Sequence, residues 1–550
     1  MASHRIEFEP LGRRGDCPAD SSLLDCAHRL GVGLNSVCGG RGLCSHCKVQ
    51  LLEGAVSDPT SAEQKRLSPG EIEQGYRLAC QTYPRSDCKL RVPTESMSTQ
   101  QRVQTEGAEF ASILSPPVRC YDVEMAQASL SDLRGDAERV LQTLEQQHGV
   151  QCRGTDIDVL RNISPVLRSC DWRVQAAVRG QEVVALSATS TPQLGLAVDL
   201  GTTKIAGYLV DFATGRTLAT QGVMNPQIGY GEDIVSRLTR VVGSESEREQ
   251  MRSLAVDALN ELTRDLCAQA SAEAEWILEA EVVGNTAMHH LLLGLPVEQL
   301  SRSPFVSALH DSADIKARDL GLTLAPGAHV HLLPNIAGFV GADHVAMILA
   351  TDLLQLEGLT LALDMGTNTE VCLADNGRIT SVSCASGPAF EGGHIRDGMR
   401  AAPGAIEHLE IMEGEVGYQT VDGAAPVGLC GSGILDTLAH LYVTGIVNGR
   451  GRILEEHSRV RTSDGQRQFV IVSEDERNGG PAIVLTQKDV RELQLAKAAI
   501  HTGIKVLLDN CGRKQEELDR VLVAGAFGTY VDVTSAITIG MLPDLPLDRF

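Results

Sequence analysis

Aromatic and basic residues are both scarce in this chain of 550 residues. Phe, Trp and Tyr together make up 3% of it, and 48 Lys and Arg stand against 71 Asp and Glu, which gives a formal net charge of −23 at pH 7. Binding to nucleic acid or to an anionic membrane surface depends on clustered basic side chains. The charge balance therefore argues against both as general partners.

The sequence also lacks a long hydrophobic run. No stretch approaches the roughly 20 apolar residues that span a bilayer. The opening residues, MASHRIEFEPLGRRG, alternate charged and apolar side chains instead of forming an apolar leader, so we expect a cytoplasmic protein. The 15 cysteines are odd in number and scattered, which is poor for a disulfide scaffold and compatible with one metal site plus isolated thiols.

Three cysteines lie together in the glycine-rich segment NSVCGGRGLCSHCKVQL. Cys38, Cys44 and Cys47 are separated there by five and by two residues, and Cys80 follows in GYRLACQTYP. Two close thiolates, a third beside them and one distant thiolate are the ligand set of a [2Fe–2S] cluster. Glycines let the backbone approach such a cluster and point N–H groups at its sulfides.

Two alternatives to the iron–sulfur cluster stay open. A structural zinc site would normally use a second Cys-x-x-Cys pair or a histidine, and only His46 is near enough in sequence to serve. The other alternative is a loop without metal. Cys17, Cys26 and Cys88 lack ligand spacing, so we interpret them as ordinary small buried residues.

Two segments of the C-terminal two-thirds share one pattern. In each, an apolar strand ends in an acid and turns through glycine and hydroxyl or amide residues into a second strand. The first segment, QLGLAVDLGTTKIAGYLVD, contains Asp199, Gly201, Thr202, Thr203 and Lys204, and the second, LTLALDMGTNTEVCLAD, contains Asp364, Gly366, Thr367 and Asn368. The acid can hold Mg²⁺ through its water shell while turn N–H groups and hydroxyls bind phosphate oxygens. Two copies 165 residues apart predict an internal duplication with a nucleotide between the halves.

Small residues recur at later positions that suit a nucleotide. ASGPAFEGGHIRDGM contains a glycine pair, GLCGSGILD begins a helix with glycines that can receive phosphate or ribose oxygens, and VAGAFGTYVD ends a strand where a flat base can approach the backbone. The candidate residues are Gly392, Gly393, Gly431, Gly433, Gly525, Phe527 and Gly528. Glu370, which follows the second turn, stays open as a base or a bystander.

The two hairpins, the glycine pair and VAGAFG resemble the actin, hexokinase and heat-shock chaperone superfamily, whose members bind ATP between two duplicated subdomains. The wider order of motifs is more particular. A CxxxxxCxxC…C ferredoxin followed by LAVDLGTTKIAG, NPQIGYGEDIVSRL, VVGNTAMHHLLLG, LALDMGTNTEV, SGPAFEGG, GLCGSGILD and VAGAFG resembles the ATP-dependent reductive activators of corrinoid-dependent methyltransferases. The resemblance covers nearly the whole chain.

The resemblance and the composition together predict a multidomain α+β and α/β fold. We expect a β-grasp [2Fe–2S] ferredoxin domain at 1–94 and a polar linker at 95–116. A small α+β middle domain follows at 117–191, and a duplicated actin-like (ribonuclease H-like) ATPase domain at 192–550. Within the middle domain, SLSDLRGDAERVLQTLEQQHG predicts an amphipathic helix with Leu130, Leu133, Val140, Leu141 and Leu144 on its apolar face. Family members typically continue with further helices and strands, so we expect a C-terminus that is truncated relative to the family.

The resemblance also implies an activity. Such proteins use ATP and a low-potential electron to return an oxidised Co(II) corrinoid protein to Co(I), with a [2Fe–2S] cluster, ATP and Mg²⁺ as cofactors. By motif position, Cys38, Cys44, Cys47 and Cys80 would be the cluster ligands. We further expect Asp199 and Asp364 to hold Mg²⁺ and the attacking water, with Lys204 or the hairpin N–H groups offsetting γ-phosphate charge.

Expected partners are the corrinoid protein of a methyltransferase system and an electron-donor reductase or ferredoxin, and a homodimer stays open. Two other functions also stay open. One is reductive activation of a different enzyme, although such activators usually hold a [4Fe–4S] cluster between two subunits, which this cysteine pattern does not supply. The other is a redox-sensing kinase or ATPase, whose acceptor site could be lined by Gln227 or Asp233.

Overall fold

The computed structural model describes residues 3–9, 12–30, 32, 34, 42, 47–93, 96, 114–231, 233–412, 414–463, 465–477, 480–525 and 528–550. The predictions for Cys38, Cys44 and Phe527 lie outside these residues. The chain divides into two compact units. The first comprises Met1–Arg102, Ile228–Arg237 and Thr351–Phe550, and the second comprises Val103–Gln227 and Leu238–Ala350.

The N-terminal head is a five-stranded sheet with short helices. Its elements are β1 (Ser3–Glu9), β2 (Arg13–Pro18), α1 (Leu23–Arg29), β3 (Lys48–Glu53), α2 (Ser61–Arg66), α3 (Pro69–Glu73), β4 (Tyr76–Leu78) and β5 (Cys88–Arg91). The strand order is β2-β1-β5-β3-β4, with β1 and β5 parallel and the other neighbours antiparallel. The Ser22 hydroxyl caps α1 by accepting the Asp25 N–H at 3.1 Å.

The next described segment forms a four-stranded sheet covered by two helices. Its elements are β6 (Val118–Glu124), α4 (Asp136–His148), β7 (Gly154–Thr155), α5 (Ile157–Ser169), β8 (Arg173–Arg179) and β9 (Glu182–Ser187), in the strand order β6-β8-β9-β7. Most of the interval between β5 and β6 lies outside the described residues. The predicted domain boundaries there therefore stay predictions.

The predicted helix of this segment begins later than expected. Leu130 and Leu133 are 98% and 81% exposed, and α4 starts only at Asp136, after Gly135. The physical reason is Asp132, which accepts hydrogen bonds from Arg134 and Arg139 at 2.6 Å and 2.5 Å and holds the preceding residues in a tight turn. The predicted helix and its apolar face are confirmed at Val140 and Leu144, which are buried, whereas the prediction for Leu130 and Leu133 was wrong.

The first of the two similar halves is built on a six-stranded sheet. Its elements are β10 (Leu194–Leu200), β11 (Lys204–Asp211), β12 (Thr217–Met224), α6 (Ile234–Val241), α7 (Glu245–Ala270), β13 (Ile277–Val283), α8 (Thr286–Leu293), β14 (Ala313–Lys316), α9 (Ala317–Leu320), β15 (His329–Leu332) and α10 (Ala342–Ala350). The strand order is β12-β11-β10-β13-β15-β14. The long helix α7 packs on β11 and β12.

The second half holds a four-stranded sheet and two smaller ones. Its elements are β16 (Leu359–Met365), β17 (Thr369–Asp375), β18 (Arg378–Cys384), β19 (Ala405–Met412), β20 (Glu415–Thr420), β21 (Gly428–Leu429), α11 (Gly431–Val443), β22 (Val460–Ser463), β23 (Gln466–Val472), β24 (Ile483–Thr486), α12 (Gln487–Asn510), β25 (Arg520–Ala524) and α13 (Val533–Thr538). The four-stranded sheet has the order β18-β17-β16-β25. The long helix α12 packs on β17 and β18.

The two halves repeat one arrangement. Each has an antiparallel meander of three strands, β10-β11-β12 or β16-β17-β18, whose first strand pairs in parallel with a later one, β13 or β25. A long helix then packs on the last two strands of each meander. This repetition agrees with the internal duplication that the two acidic turns predict.

The hydrophobic core of the head continues into the second half. Ile6, Phe8 and Leu90 belong to one buried cluster with Met399 and Val421, each of the five at most 3% exposed. Since such a cluster excludes water from both sides of the contact, burial stabilises the docking of the head on this half.

Within the described residues, we find no helix that is both long enough and apolar enough to cross a bilayer.

Candidate functional site

The two described cluster cysteines meet where β3 and β4 pair. Cys47 directly precedes β3, and Cys80 lies in the short helical turn Ala79–Gln81 that follows β4. The antiparallel pairing brings the two together, and the Ala79 N–H donates to the Cys47 carbonyl at 2.9 Å. Both side chains are buried, at 1% and 7% exposed. Cys38 and Cys44 lie outside the described residues.

The surroundings of Cys80 favour a thiolate. Hydrogen bonds from the Cys47 thiol, the Gln81 side chain and the Gly42 backbone lower the pKa of Cys80 to about 6, against the opposing effect of burial. Gly42 has φ +69°, and a Cβ there would lie 3.0 Å from the Gln81 side chain, so glycine lets the backbone at this position approach Gln81 and Cys80. Thiolates are the ligands that iron–sulfur clusters require, and these residues fit a [2Fe–2S] cluster.

The remaining cysteines of the head behave as ordinary buried residues. Cys17 and Cys26 are 0% and 1% exposed and hydrogen bond to each other. That bond, with burial, raises the pKa of Cys26. Burial likewise raises the pKa of Cys88. The same hydrogen bond with Cys26 lowers the pKa of Cys17. Thiols held protonated, as at Cys26 and Cys88, are poor metal ligands, and the burial of all three residues agrees with their interpretation from spacing.

The first acidic turn joins β10 to β11. Asp199 is exposed near the end of β10, and Thr202 and Thr203 are 8% and 5% exposed within the turn. A Cβ at Gly201 would lie 2.5 Å from the Lys204 carbonyl oxygen, so the turn has room only for glycine there. Lys204 begins β11.

Two asparagines fix this turn. The Asn285 side chain donates to the Thr202 hydroxyl at 2.9 Å and, through its carbonyl oxygen, caps α8 by accepting the Met288 N–H at 3.0 Å. The Asn225 side chain donates to the Gly201 carbonyl at 2.8 Å. Both asparagines lie in motifs of the family resemblance, Asn285 in VVGNTAMHHLLLG and Asn225 at the start of NPQIGYGEDIVSRL. Only the fold shows that they hold the turn after β10.

The second acidic turn joins β16 to β17. Asp364 pairs in register with Glu370, and the Gly366 N–H donates to the Asn368 carbonyl at 3.0 Å. Asp364 is half-buried, and desolvation raises the pKa of its carboxyl to about 6. A carboxylate that loses hydration without gaining protein donors is stabilised when a cation binds to it.

Gly525 lies against this carboxylate. Strand β25 runs parallel to β16 with Ala524 opposite Asp364. The next residue, Gly525, has φ +91°, and a Cβ there would stand 2.8 Å from Asp364 Oδ1 and 2.6 Å from the Met365 carbonyl oxygen. The predicted base-binding segment and the predicted phosphate-binding acid are therefore adjacent. A Cβ at Gly528 would lie 3.0 Å from the Val523 side chain, which explains that glycine by packing.

Glu391 connects the second turn to the predicted glycine pair. The Thr367 hydroxyl donates to Glu391 Oε1 at 3.1 Å, and Gly392 and Gly393 follow directly. Gly392 has φ +83°, and a Cβ there would lie 2.5 Å from the Met399 nitrogen. Glu391 was missed although its motif, PAFEGG, is visible in the sequence, since only the fold brings it to Thr367.

Two further predicted positions have structural partners. Glu370 is 5% exposed and accepts the Ser383 hydroxyl at 2.9 Å, which ties one of its oxygens to β18. Gly433 lies in the first turn of α11, where a Cβ would stand 2.1 Å from the Ile406 carbonyl oxygen. Gly431 is the first residue of that helix. Close packing of α11 on β19 accounts for Gly433, and a nucleotide contact by Gly431 or Gly433 stays a prediction.

Asp199 lies in the second compact unit and Asp364 in the first. The structure brings Asp364, Thr367, Glu391–Gly393 and Gly525 together within one unit, and Asp199 with Thr202 and Asn285 in the other. A nucleotide held between Asp199 and Asp364 stays a prediction.

Comparison with known families accounts for most of the chain. Residues 6–85 match the 2Fe-2S iron-sulfur cluster binding domain, and residues 108–193 match the RACo linker region. Residues 194–356 match the RACo middle region, and residues 358–550 match the C-terminal domain of RACo, the ASKHA domain.

Individual proteins are similar over the whole chain or over part of it. The corrinoid activation enzyme RamQ of Eubacterium limosum is 31% identical over 98% of this chain and 89% of its own. The Co(II) methylated amine-specific corrinoid protein reductase of Methanosarcina barkeri is 26% identical over 64% of this chain and 66% of its own.

A solved structure, the reductive activator for corrinoid,iron-sulfur protein, is 32% identical, with a TM-score of 0.72 over 100% of this chain and 90% of its own. The predicted fold class, a ferredoxin head joined to an actin-like domain, is confirmed by these matches. The chain belongs to the family of reductive activators of corrinoid proteins.

Proposed function

We propose that this protein uses ATP to drive one electron from a [2Fe–2S] cluster to the Co(II) form of a corrinoid protein, which yields Co(I). The relatives' names point to corrinoid proteins as the substrate class. The observation that carries the proposal is the continuous hydrophobic core between the head, with its buried Cys47 and Cys80, and the half that contains Asp364. The head and the acidic turn at Asp364 lie in one compact unit, which supports a coupling between an electron carrier and a nucleotide.

The cluster would be held by Cys38, Cys44, Cys47 and Cys80. When bound, it supplies a low-potential electron. The Gly42 backbone and Gln81 side chain donate hydrogen bonds toward Cys80, and donors to sulfur stabilise negative charge at such centres. An electron-donor reductase or ferredoxin would restore the reduced state between turnovers.

The two acidic turns would handle the nucleotide. Asp199 and Asp364 would hold Mg²⁺ and orient the attacking water, and Lys204 would offset charge on the γ-phosphate. The hydroxyls of Thr202, Thr203 and Thr367 would bind phosphate oxygens, and Asn285 keeps the Thr202 hydroxyl in place through its 2.9 Å hydrogen bond.

ATP is needed because the electron transfer is uphill. Plant-type [2Fe–2S] centres have potentials near −400 mV, and the Co(II)/Co(I) couple is expected to be more negative. A gap of about 100 mV would cost about 2.3 kcal/mol for one electron, since each tenfold ratio corresponds to 59 mV. Nucleotide-driven closure that changes the cobalt coordination, together with trapping of Co(I) by methylation, would overcome such a gap.

Absorbance spectroscopy tests this function. Reconstituted, pre-reduced protein is mixed anaerobically with a Co(II) corrinoid protein, with or without Mg·ATP. We expect the Co(I) spectrum only when ATP is present. Equal Co(I) formation without nucleotide would contradict the ATP requirement, and phosphate transfer to the added protein, detected by mass spectrometry, would favour a kinase instead.

A further inference from the structure

A buried ion pair joins the head to the second half of the ATPase domain. Arg400 Nη1 donates to Glu9 Oε2 on β1 at 3.0 Å, and the two side chains are 9% and 1% exposed. Lys89 also lies 3.8 Å from Glu9, although its nearer partner is Glu7, at 3.2 Å. Burying a charge pair at a domain contact costs free energy because both groups lose their hydration. The pair is stabilising only when the geometry of both side chains is fixed by their surroundings.

A second contact crosses the same junction. The Arg13 side chain donates to the Leu30 carbonyl within the head at 2.7 Å and to the Val427 carbonyl of the second half at 3.0 Å. Arg13 is 5% exposed. The orientation of the head is therefore set by directed polar contacts as well as by the hydrophobic cluster.

Arg237 is a further buried charge in the same compact unit as the ion pair. It is fully buried at 0% exposed, and its Nε donates to the Gly231 carbonyl at 2.8 Å. Burial and the neighbouring Arg400 lower the pKa of Arg237 to about 9, while Asp233, Glu9 and Glu391 act in the opposite direction. The charge of Arg400 and those of three carboxylates thus act on the buried Arg237.

One of those carboxylates, Glu391, contacts the second acidic turn, which joins β16 to β17. Glu391 accepts the Thr367 hydroxyl at 3.1 Å, and Thr367 is 5% exposed. Gly392, the residue after Glu391, packs on the backbone of Met399, where an added Cβ would lie 2.5 Å from the Met399 nitrogen, and Met399 directly precedes Arg400. The second acidic turn is therefore linked to Arg400 by packing, and the charges of Glu391, Arg400 and Glu9 all act on the buried Arg237.

We propose that the Glu9–Arg400 pair positions the ferredoxin head, and that phosphate binding at the Thr367 turn tightens this docking through Glu391 and Arg237. The inference rests on the proposed nucleotide site. It adds that the bound nucleotide controls how firmly the electron-carrying head is docked. Glu9 and Arg400 are positioning residues, since they act through Arg237 and Glu391.

The direction follows from charge. A bound phosphate takes the Thr367 hydroxyl away from Glu391 and brings negative charge to that side of Arg237. Arg237 is then balanced from the nucleotide side, which weakens its attraction for Glu9, strengthens the Glu9–Arg400 pair and reduces the net repulsion at Arg400. Linkage is reciprocal, so a weaker Glu9–Arg400 pair must also weaken nucleotide binding.

Hydrogen–deuterium exchange of the full-length, reconstituted protein tests the proposal, with a non-hydrolysable ATP analogue and Mg²⁺ as the probe. We expect the analogue to slow exchange in β1 by about fivefold or more. Strand β4, at the opposite edge of the sheet, serves as the internal control and should change little. An equal response of β1 and β4, or no response while the analogue is bound, would overturn the inference.

Two variants separate positioning from general stability. Glu9→Gln should raise the Kd of the analogue about fivefold and abolish the β1 response. Glu7→Gln, on the same strand but paired with Lys89, should leave both unchanged. If Glu9→Gln lowers the melting temperature yet leaves the Kd unchanged, the pair is only structural and the inference fails. If the wild-type protein does not bind the analogue, the proposed ATP-dependent function is wrong, whatever the variants show. If Glu9→Gln does not fold, hydrogen–deuterium exchange of the wild-type protein with and without the analogue still tests the inference.

Discussion

The backbone of Gly525 occupies the space beside the Asp364 carboxylate that a side chain would fill. A Cβ at this position would stand 2.8 Å from Asp364 Oδ1, and φ is +91°. We therefore expect Gly525→Ala to abolish nucleotide binding and to cost ~1–3 kcal/mol of stability from backbone strain. Gly377→Ala is the matched control, because Gly377 has φ +80° and a Cβ added there would meet nothing within 4 Å. Calorimetric titration with Mg·ATP measures nucleotide binding by both variants. Normal binding by both would contradict the predicted role of Gly525 in the nucleotide site.

Asp364 itself should be needed for hydrolysis and dispensable for the cluster. Asp364→Ala removes the carboxylate that would hold Mg²⁺, so we expect ATPase activity to fall at least about 100-fold. The visible spectrum of the reconstituted cluster should not change, since Cys47 and Cys80 lie in the head. Glu357→Ala, an exposed acid before β16, is the control and should keep wild-type activity. Retention of the wild-type rate in Asp364→Ala would remove Asp364 from the site.

The two roles of Asn285 can be separated by one substitution. Asn285→Asp keeps the carbonyl oxygen that caps α8 but loses the N–H donor to Thr202. We expect normal thermal stability and a KM for ATP raised several-fold, whereas Asn285→Ala should also lose about 1 kcal/mol of stability. An unchanged KM in both variants would show that Thr202 needs no such support.

The contact between the segment β6–β9 and the first half, at Asp156, should stabilise the protein less at low pH. Burial acts to raise the pKa of Asp156, but hydrogen bonds from Arg318 and Lys316 outweigh it and lower the pKa to about 2. A lowered folded-state pKa stabilises the protein above the unfolded value near 4, and this stabilisation is lost as the pH falls toward 2. Asp156→Asn, which can still cap α5, should therefore cost roughly 2 kcal/mol at pH 7 and progressively less below pH 4.

Urea unfolding followed by tryptophan fluorescence measures this effect. Both tryptophans of the chain, Trp172 and Trp276, lie in the same compact unit as Asp156. Asp319→Asn, an exposed acid next to Arg318, is the control and should change stability little. A pH-independent difference between Asp156→Asn and the wild type would rule out the ion pair as its cause.

Cluster assembly should depend on Cys80 and not on Cys88. Cys80→Ala removes a predicted thiolate ligand, so we expect anaerobic reconstitution to give little or no visible absorbance and a loss of bound iron. Cys88→Ala removes a buried thiol whose pKa burial raises, and it should reconstitute like the wild type. Iron and sulfide analysis that finds a full cluster in Cys80→Ala would contradict the ligand assignment.

The parts of the fold that local chemistry determines were predictable. Ser22 caps α1, and both acidic turns fall where strand, acid, glycine and hydroxyl residues succeed one another, because these signals act over a few residues. The same reasoning failed at Leu130 and Leu133, where the apolar period suggested a helix. Asp132 binds Arg134 and Arg139 instead and holds a turn.

Contacts between distant segments were not predictable from one sequence. Glu9 and Arg400 are 391 positions apart, and neither carries a motif that would pair them. Glu391 meets Thr367 only because β18 and the following turn fold back on β16 and β17. The docking of the head on the second half depends on such pairs, so it emerged only from the structure.

Formation of Co(I) in a single turnover shows whether ATP drives the electron from the cluster to the corrinoid protein. Pre-reduced protein, freed of external reductant, is mixed with a Co(II) corrinoid protein and followed by absorbance with Mg·ATP, with Mg·ADP or without nucleotide. The account predicts one Co(I) for each cluster electron with Mg·ATP and little with ADP or without nucleotide, and none from Cys80→Ala. The same yield of Co(I) in all three nucleotide conditions, or from Cys80→Ala, would contradict it.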